Sequence, residues 1–153
     1  MELLRRNYVK YGLIMSGLIV LCLVYMELTG QNLSFEKSPV VLAITMIAPF
    51  VVWFLGIKAF KKAQGNKLTF KQGVKEGFRI SLVYGVVSPF VFLLYYILVN
   101  PQIVQYAATS YGMANASFGV VVGIDMLVQF VSALIFGTLY AAIISFFLRT
   151  KSK

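Results

Sequence analysis

The sequence predicts an all-α fold: an integral-membrane bundle of four helices with both termini on the cytoplasmic side. Three observations predict it. Of the 153 residues, 59% are hydrophobic and the mean hydropathy is +0.83, whereas soluble domains use about 45–50% apolar residues. The apolar residues gather into four runs, at about 11–28, 39–57, 80–99 and 118–148. Thirteen of the fourteen Lys and Arg residues lie on one alternating set of the segments that flank these runs. Arg5, Arg6 and Lys10 precede the first; Lys58, Lys61, Lys62, Lys67, Lys71, Lys75 and Arg79 separate the second from the third; Arg149, Lys151 and Lys153 follow the fourth. Only Lys37 falls on the other set. Short loops rich in Lys and Arg stay cytoplasmic, which sets the orientation. Residues 1–153 form a single four-span domain on this reading, with the last crossing at about 124–148.

The net charge of +9 raises nucleic acid as a partner. The basic residues flank apolar runs instead of interleaving with aromatics, so a rim facing anionic headgroups explains them better. No nucleic-acid partner is expected. The single Cys22 lies within the first run, where a thiol acts as a small hydrophobe. A basic start before Tyr11–Met26 resembles a signal peptide, but no small-x-small cleavage site follows it, so the segment is read as a retained first helix.

The second span opens at Pro39, a favoured first-turn residue because its missing N–H would be unpaired there anyway. Its 19 residues to Ile57 reach about 28 Å, near the hydrocarbon thickness. Trp53 and Phe54 are expected at the cytoplasmic interface, and Tyr8, Tyr11, Tyr25, Tyr95, Tyr96 and Tyr106 at span ends as interfacial anchors. The middle loop turns at Gly65-Asn66, and Thr69 with Gln72 fits a capping box, so the third helix starts before the membrane does. Phe70, Val74 and Phe78 share one face of that start, Lys71, Lys75 and Arg79 another, as an amphipathic cytoplasmic lead-in. Residues Asn100–Ser117 form the longest non-cytoplasmic loop, polar and uncharged. The fourth run exceeds one bilayer thickness, so it tilts, protrudes, or breaks near Gly119 and Gly123. Pro49 and Pro89 lie mid-span, where each removes a backbone hydrogen bond and bends its helix.

Two rows of small residues stand out. Gly73, Gly77, Ser81 and Gly85 recur every fourth position in the third helix, and Ala133, Gly137, Ala141 and Ser145 do so in the fourth. Such rows let backbones approach closely, and being ridges they favour a crossed contact. The partner is either the other row of the same chain or a second copy.

Asp125 is the one carboxylate within an apolar run, with Gln129 one turn along. A charge at mid-bilayer costs about 2.5–3.5 kcal/mol even on lenient scales, so it faces protein or water. One reading is a proton or cation site near the outer leaflet, coupled to Glu27 at the outer end of helix one. The other, favoured by the length of the run, has helix four protruding and Asp125 among headgroups or water. Catalytic patterns are missing: no His, one Cys and five scattered acidic residues exclude the usual metal centres and nucleophile–base pairs. No cofactor and no enzymatic activity are expected.

Gly56-Ile57-Lys58-Ala59-Phe60, the basic turn, Leu68-Thr69-Phe70-Lys71-Gln72-Gly73 and Gly77 resemble the core signature of the DUF4199 family, as do Tyr11-Gly12-Leu13-Ile14-x-Ser16-Gly17 and the basic tail. The chain departs from the pattern at 100–117, which is shorter and less charged than in many members. The resemblance implies a small multi-pass protein of the bacterial inner membrane, and it supplies no catalytic residues. Function then falls between two classes. The first is a non-enzymatic membrane protein meeting partner proteins or anionic lipid through the basic segment 58–79, with Lys58, Lys61, Lys62 and Lys67 as headgroup contacts. The alternative is a small oligomeric transporter or channel using Asp125 and Glu27. Membrane lipid is the expected partner, with a second copy or another membrane protein as further candidates.

Overall fold

The computed structural model describes residues 6–30 and 39–150, with side chains along the second helix described from residue 46. Arg5, Lys37, Lys151, Lys153 and the loop 31–38 lie outside the described residues. Within them the chain is all-α, with five helices and no strand. These are α1 (Asn7–Thr29), α2 (Pro39–Ala63), α3 (Phe70–Leu98), α4 (Gln102–Ser110) and α5 (Phe118–Leu148). Among the described residues, α1, α3 and α5 are long and apolar enough to cross a membrane.

Local sequence explains the boundaries. Helix α1 stops at Gly30, whose φ of 66° suits a residue without Cβ and whose N–H closes onto Glu27 and Met26 carbonyls. The chain turns after α2 through Gly65 and Asn66, both left-handed at φ 67° and 62°. The expected capping box is present: the Thr69 hydroxyl accepts from the Gln72 N–H at 3.2 Å, and the Gln72 side chain accepts from the Thr69 N–H at 2.9 Å. Pro49 and Pro89 both lie inside continuous helices. Helix α5 also runs unbroken through Gly119 and Gly123. A break there is therefore excluded, and at 31 residues the helix is about 46 Å long against a hydrocarbon core of about 30 Å.

The α3–α5 contact is the largest between any two helices, followed by α1 on α3; α2 rests on all three. Both small-residue rows lie in the α3–α5 contact, antiparallel and in register. Gly73 faces Ser145, Gly77 faces Ala141, Ser81 faces Gly137 and Gly85 faces Ala133. A Cβ on Gly77 would overlap the Ala141 methyl, and one on Gly85 would sit 3.3 Å from the Ala133 Cβ. The rows consume each other within one chain, so a second copy would have to dock elsewhere. The buried face of the α3 start is Gly73, Glu76, Gly77 and Ile80, while Phe70 and Phe78 point outward.

Trp53 departs from its expected interfacial place. It is 1% exposed, and its indole N–H donates to the Ser81 hydroxyl at 3.1 Å, which in turn donates to the Gly77 carbonyl at 2.9 Å. An indole N–H buried in an apolar core needs an acceptor, and Ser81 on the small-residue row is within reach. Met15, Ile57, Ile80 and Ile144 complete this core.

Replacing Gly77 by Leu should lower the melting temperature of detergent-extracted protein, by about 1–3 kcal/mol or more of stability, because the added volume has nowhere to go. Gly17, with nothing within 4 Å of its would-be Cβ, should accept Ala with an unchanged or raised melting temperature. A Gly77→Leu profile matching the parent would contradict this packing.

Candidate functional site

The helix pack has two polar ends, and their chemistry differs. At one end the start of α1, the close of α2, the start of α3 and the close of α5 meet. Asn7 bridges three of them: its side-chain amide donates to the Gly56 carbonyl at 2.8 Å and to the Glu76 carboxylate at 3.0 Å. Lys61 donates to the last carbonyl of α5, Leu148, at 2.7 Å, where a cation offsets the negative end of the helix dipole. Thr150 and Leu68 lock the C-terminal segment to the turn, with N–H to carbonyl at 2.8 Å and N–H to hydroxyl at 2.9 Å.

Glu76 was not singled out by the sequence. It is 2% exposed, and its partners are Asn7 and the Arg79 guanidinium at 3.7 Å. Arg79 also lies 5.5 Å from the Tyr8 ring. The available signal was positional, since Glu76 sits next to Gly77 and one turn after Gln72 on the face that the small-residue row buries.

Of the four lysines expected at headgroups, Lys58, Lys62 and Lys67 are exposed. Lys61 is half-buried on Leu148 and caps a helix instead. Around them Lys10, Lys71, Lys75, Arg79 and Arg149 are also exposed, and Arg149 stacks 4.4 Å from the Phe146 ring.

The opposite end carries the intramembrane polar candidates. Asp125 is 7% exposed, so its expected place among headgroups or water is corrected: protein encloses it. Tyr96 donates to Oδ2 at 2.7 Å, Tyr111 donates to Oδ1 at 2.7 Å, and Gln129 donates its amide to Oδ2 from one turn along. Burying a carboxylate without partners is expensive, and three converging donors offset that cost. The second half of the enclosure comes from a segment read as a plain loop. Residues 102–110 form α4, which buries Ile103, Val104 and Ala108 and delivers Tyr111 onto the carboxylate. The spacing of those three side chains is the helical signal the loop reading passed over.

Tyr95 and Tyr96, expected as interfacial anchors, are buried by protein, and each bonds to a carboxylate on another helix. Tyr95 donates to the Glu27 carboxylate at 2.9 Å, tying α1 to α3. Glu27 and Asp125 thus have no hydrogen-bond partner in common among the described residues. They are held by adjacent phenols whose rings lie 6.5 Å apart. Burial first, then the bond to Asp125, pushes the Tyr111 phenol up to about 12 from 10, so it stays a donor at neutral pH. Among the described residues, no three Cys, Asp or Glu side chains are grouped to hold a metal ion.

Comparison with known proteins adds one result. The family described as "Protein of unknown function (DUF4199)" matches residues 10–150. The chain belongs to the DUF4199 family. The match begins at Lys10 and ends at Thr150, so it takes in the α3–α5 contact and both polar ends. No curated protein and no solved structure matches the chain significantly.

Two outcomes follow for the Asp125 cluster. Tyr111→Phe should cost about 1.5–3 kcal/mol of stability, the range for a bond to a charged group. Its effect combined with Asp125→Asn should be less than additive, since both remove one contact. The folded phenol titrates above the unfolded one, so its contribution is full below pH 10 and fades as pH rises toward 12. A stability–pH comparison of parent and Tyr111→Phe should therefore converge over that window, and parallel curves would contradict the assignment.

Proposed function

We propose that the chain is a four-span, multi-pass protein of the bacterial inner membrane whose basic end faces the cytoplasm and binds anionic lipid headgroups. Its role is non-enzymatic on this reading. The observation that carries it is the distribution of cations: every Lys and Arg among the described residues belongs to the end formed by α1's start, α2's close, α3's start and α5's close. Three further facts support it. Large apolar side chains are exposed along the helices, with Leu28 at 82%, Leu127 at 62% and Phe147 at 77%, a display that suits hydrocarbon solvent. The exposed Phe70 and Phe78 flank Lys71, Lys75 and Arg79 on the α3 start, as an interfacial helix would require. Lys58 sits 5.7 Å from the Phe54 ring, an arrangement in which a long side chain reaches back from an apolar wall to a charged surface.

Each exposed Lys or Arg near an anionic surface contributes about 1 kcal/mol, and the attraction is screened within a Debye length. Three exposed cations, Lys58, Lys62 and Lys67, make no side-chain hydrogen bond or ion pair among the described residues, and only Lys58 touches a ring, so their removal should loosen the fold little. Capture of the solubilised protein on phosphatidylglycerol vesicles should fall when all three become Gln, and should fall in the parent as salt is raised. Lys61→Gln is expected to behave differently, lowering stability while leaving capture nearly intact. Equal capture by the parent and the triple variant would end the lipid reading. Orientation is checked separately by reporter fusions at 64 and 110, which should report opposite compartments.

A further inference from the structure

All four long helices contribute to a cavity of about 340 Å³, within the range of small-molecule sites. Its walls are apolar and aromatic, with Trp53, Tyr84, Phe92, Phe136 and Tyr140 all lining it. Gln129 also lines it, and this residue links the cavity to the Asp125 cluster. The Gln129 amide nitrogen faces Asp125 Oδ2 and lies 3.5 Å from the Tyr96 hydroxyl. A carboxylate accepts and does not donate, so the nitrogen is the end of the amide that must face it. The amide oxygen is thereby left over, and it is buried without a partner. Asp125 in turn is held by two phenols and this amide, all of them neutral. The one ion pair among the described residues, Arg79–Glu76, lies at the opposite end. An unmet acceptor and a negative charge without a counter-ion therefore adjoin a ring-lined space.

We propose that this cavity binds a lipophilic amine. The apolar body occupies the space between the rings, where aromatic faces also attract a cation. The ammonium donates to Gln129 Oε1 and is drawn by Asp125 through a medium of low dielectric. The terminal torsion of a glutamine amide is soft, so a small rotation can aim the oxygen at a donor entering from the cavity while the nitrogen keeps its bond to Asp125. An acyl chain would fill the same volume but leave the acceptor unpaired. A neutral alcohol would satisfy the acceptor and leave the charge. The site lies apart from the basic end and does not depend on lipid binding there.

Trp53 is the single tryptophan of the chain and stands in the cavity wall, so its emission reports occupancy. Protein in zwitterionic nanodiscs would be titrated at neutral pH with dibenzylamine and, in parallel, with its all-carbon isostere 1,3-diphenylpropane. The amine should give a saturable change in Trp53 emission, half-complete at a concentration about tenfold or more below that of the hydrocarbon. Gln129→Leu and Asp125→Asn should each shift the amine curve by about tenfold or more and leave the hydrocarbon curve in place. Equal curves for the two ligands would overturn the proposal in favour of an acyl chain as occupant. So would a lack of any saturable response, or an amine curve unmoved by Gln129→Leu. The ligand pair is compared on the unaltered protein, so the decision stands even where a variant fails to fold.

Discussion

The close approach of α3 and α5 is the contact on which everything else rests. Hydrocarbon solvates a leucine face as well as another helix does, so burying apolar area gives helices in lipid little reason to associate. What remains is dispersion between backbones that can come near each other, and that requires small residues at the crossing. Gly73 against Ser145, Gly77 against Ala141, Ser81 against Gly137 and Gly85 against Ala133 supply four successive levels of it. The register of those levels fixes where both ends of α5 arrive. Its first turns bring Asp125 beside Tyr96, and its last carbonyl reaches Lys61.

The two ends solve a similar problem by different means. At the basic end a buried carboxylate, Glu76, is met by an amide from α1 and by the guanidinium one turn along its own helix. At the other, Asp125 has only neutral donors, one of them delivered by the short helix α4. Charge is neutralised at the first end and merely hydrogen-bonded at the second. The two carboxylates thus carry different electrostatic consequences for whatever lies near them, because Glu76 has a cationic partner and Asp125 has none among the described residues.

The four long helices and the two small-residue rows were legible in the sequence because each rests on a local pattern. The Thr69–Gln72 box, the left-handed Gly65-Asn66 turn and the two four-residue rows are repeats or pairs within one element, and the structure contains all of them. The polar interior was much less legible. Trp53, Tyr95 and Tyr96 have the composition of interfacial anchors, but each is buried by protein and found an acceptor on a different helix. Asp125 looked exposed because α5 is too long for the bilayer. The chain that covers it, α4 and Tyr111, carries no charge and too short an apolar stripe to stand out. Lys61 was assigned to headgroups and Glu76 was passed over for the same reason: long-range pairing decided their places, and a single sequence does not display it.

The α3–α5 contact also bears on the order in which the protein can be assembled. A ribosome delivers α3 well before α5, whose Ser145, Ala141 and Ala133 are what the glycine face of α3 packs on. Until α5 has been made, that face stands open to a mistaken neighbour. A decisive step in assembling this fold therefore belongs to α5, and a chain truncated ahead of α5 would leave the Gly73, Gly77 and Gly85 face of α3 unpaired.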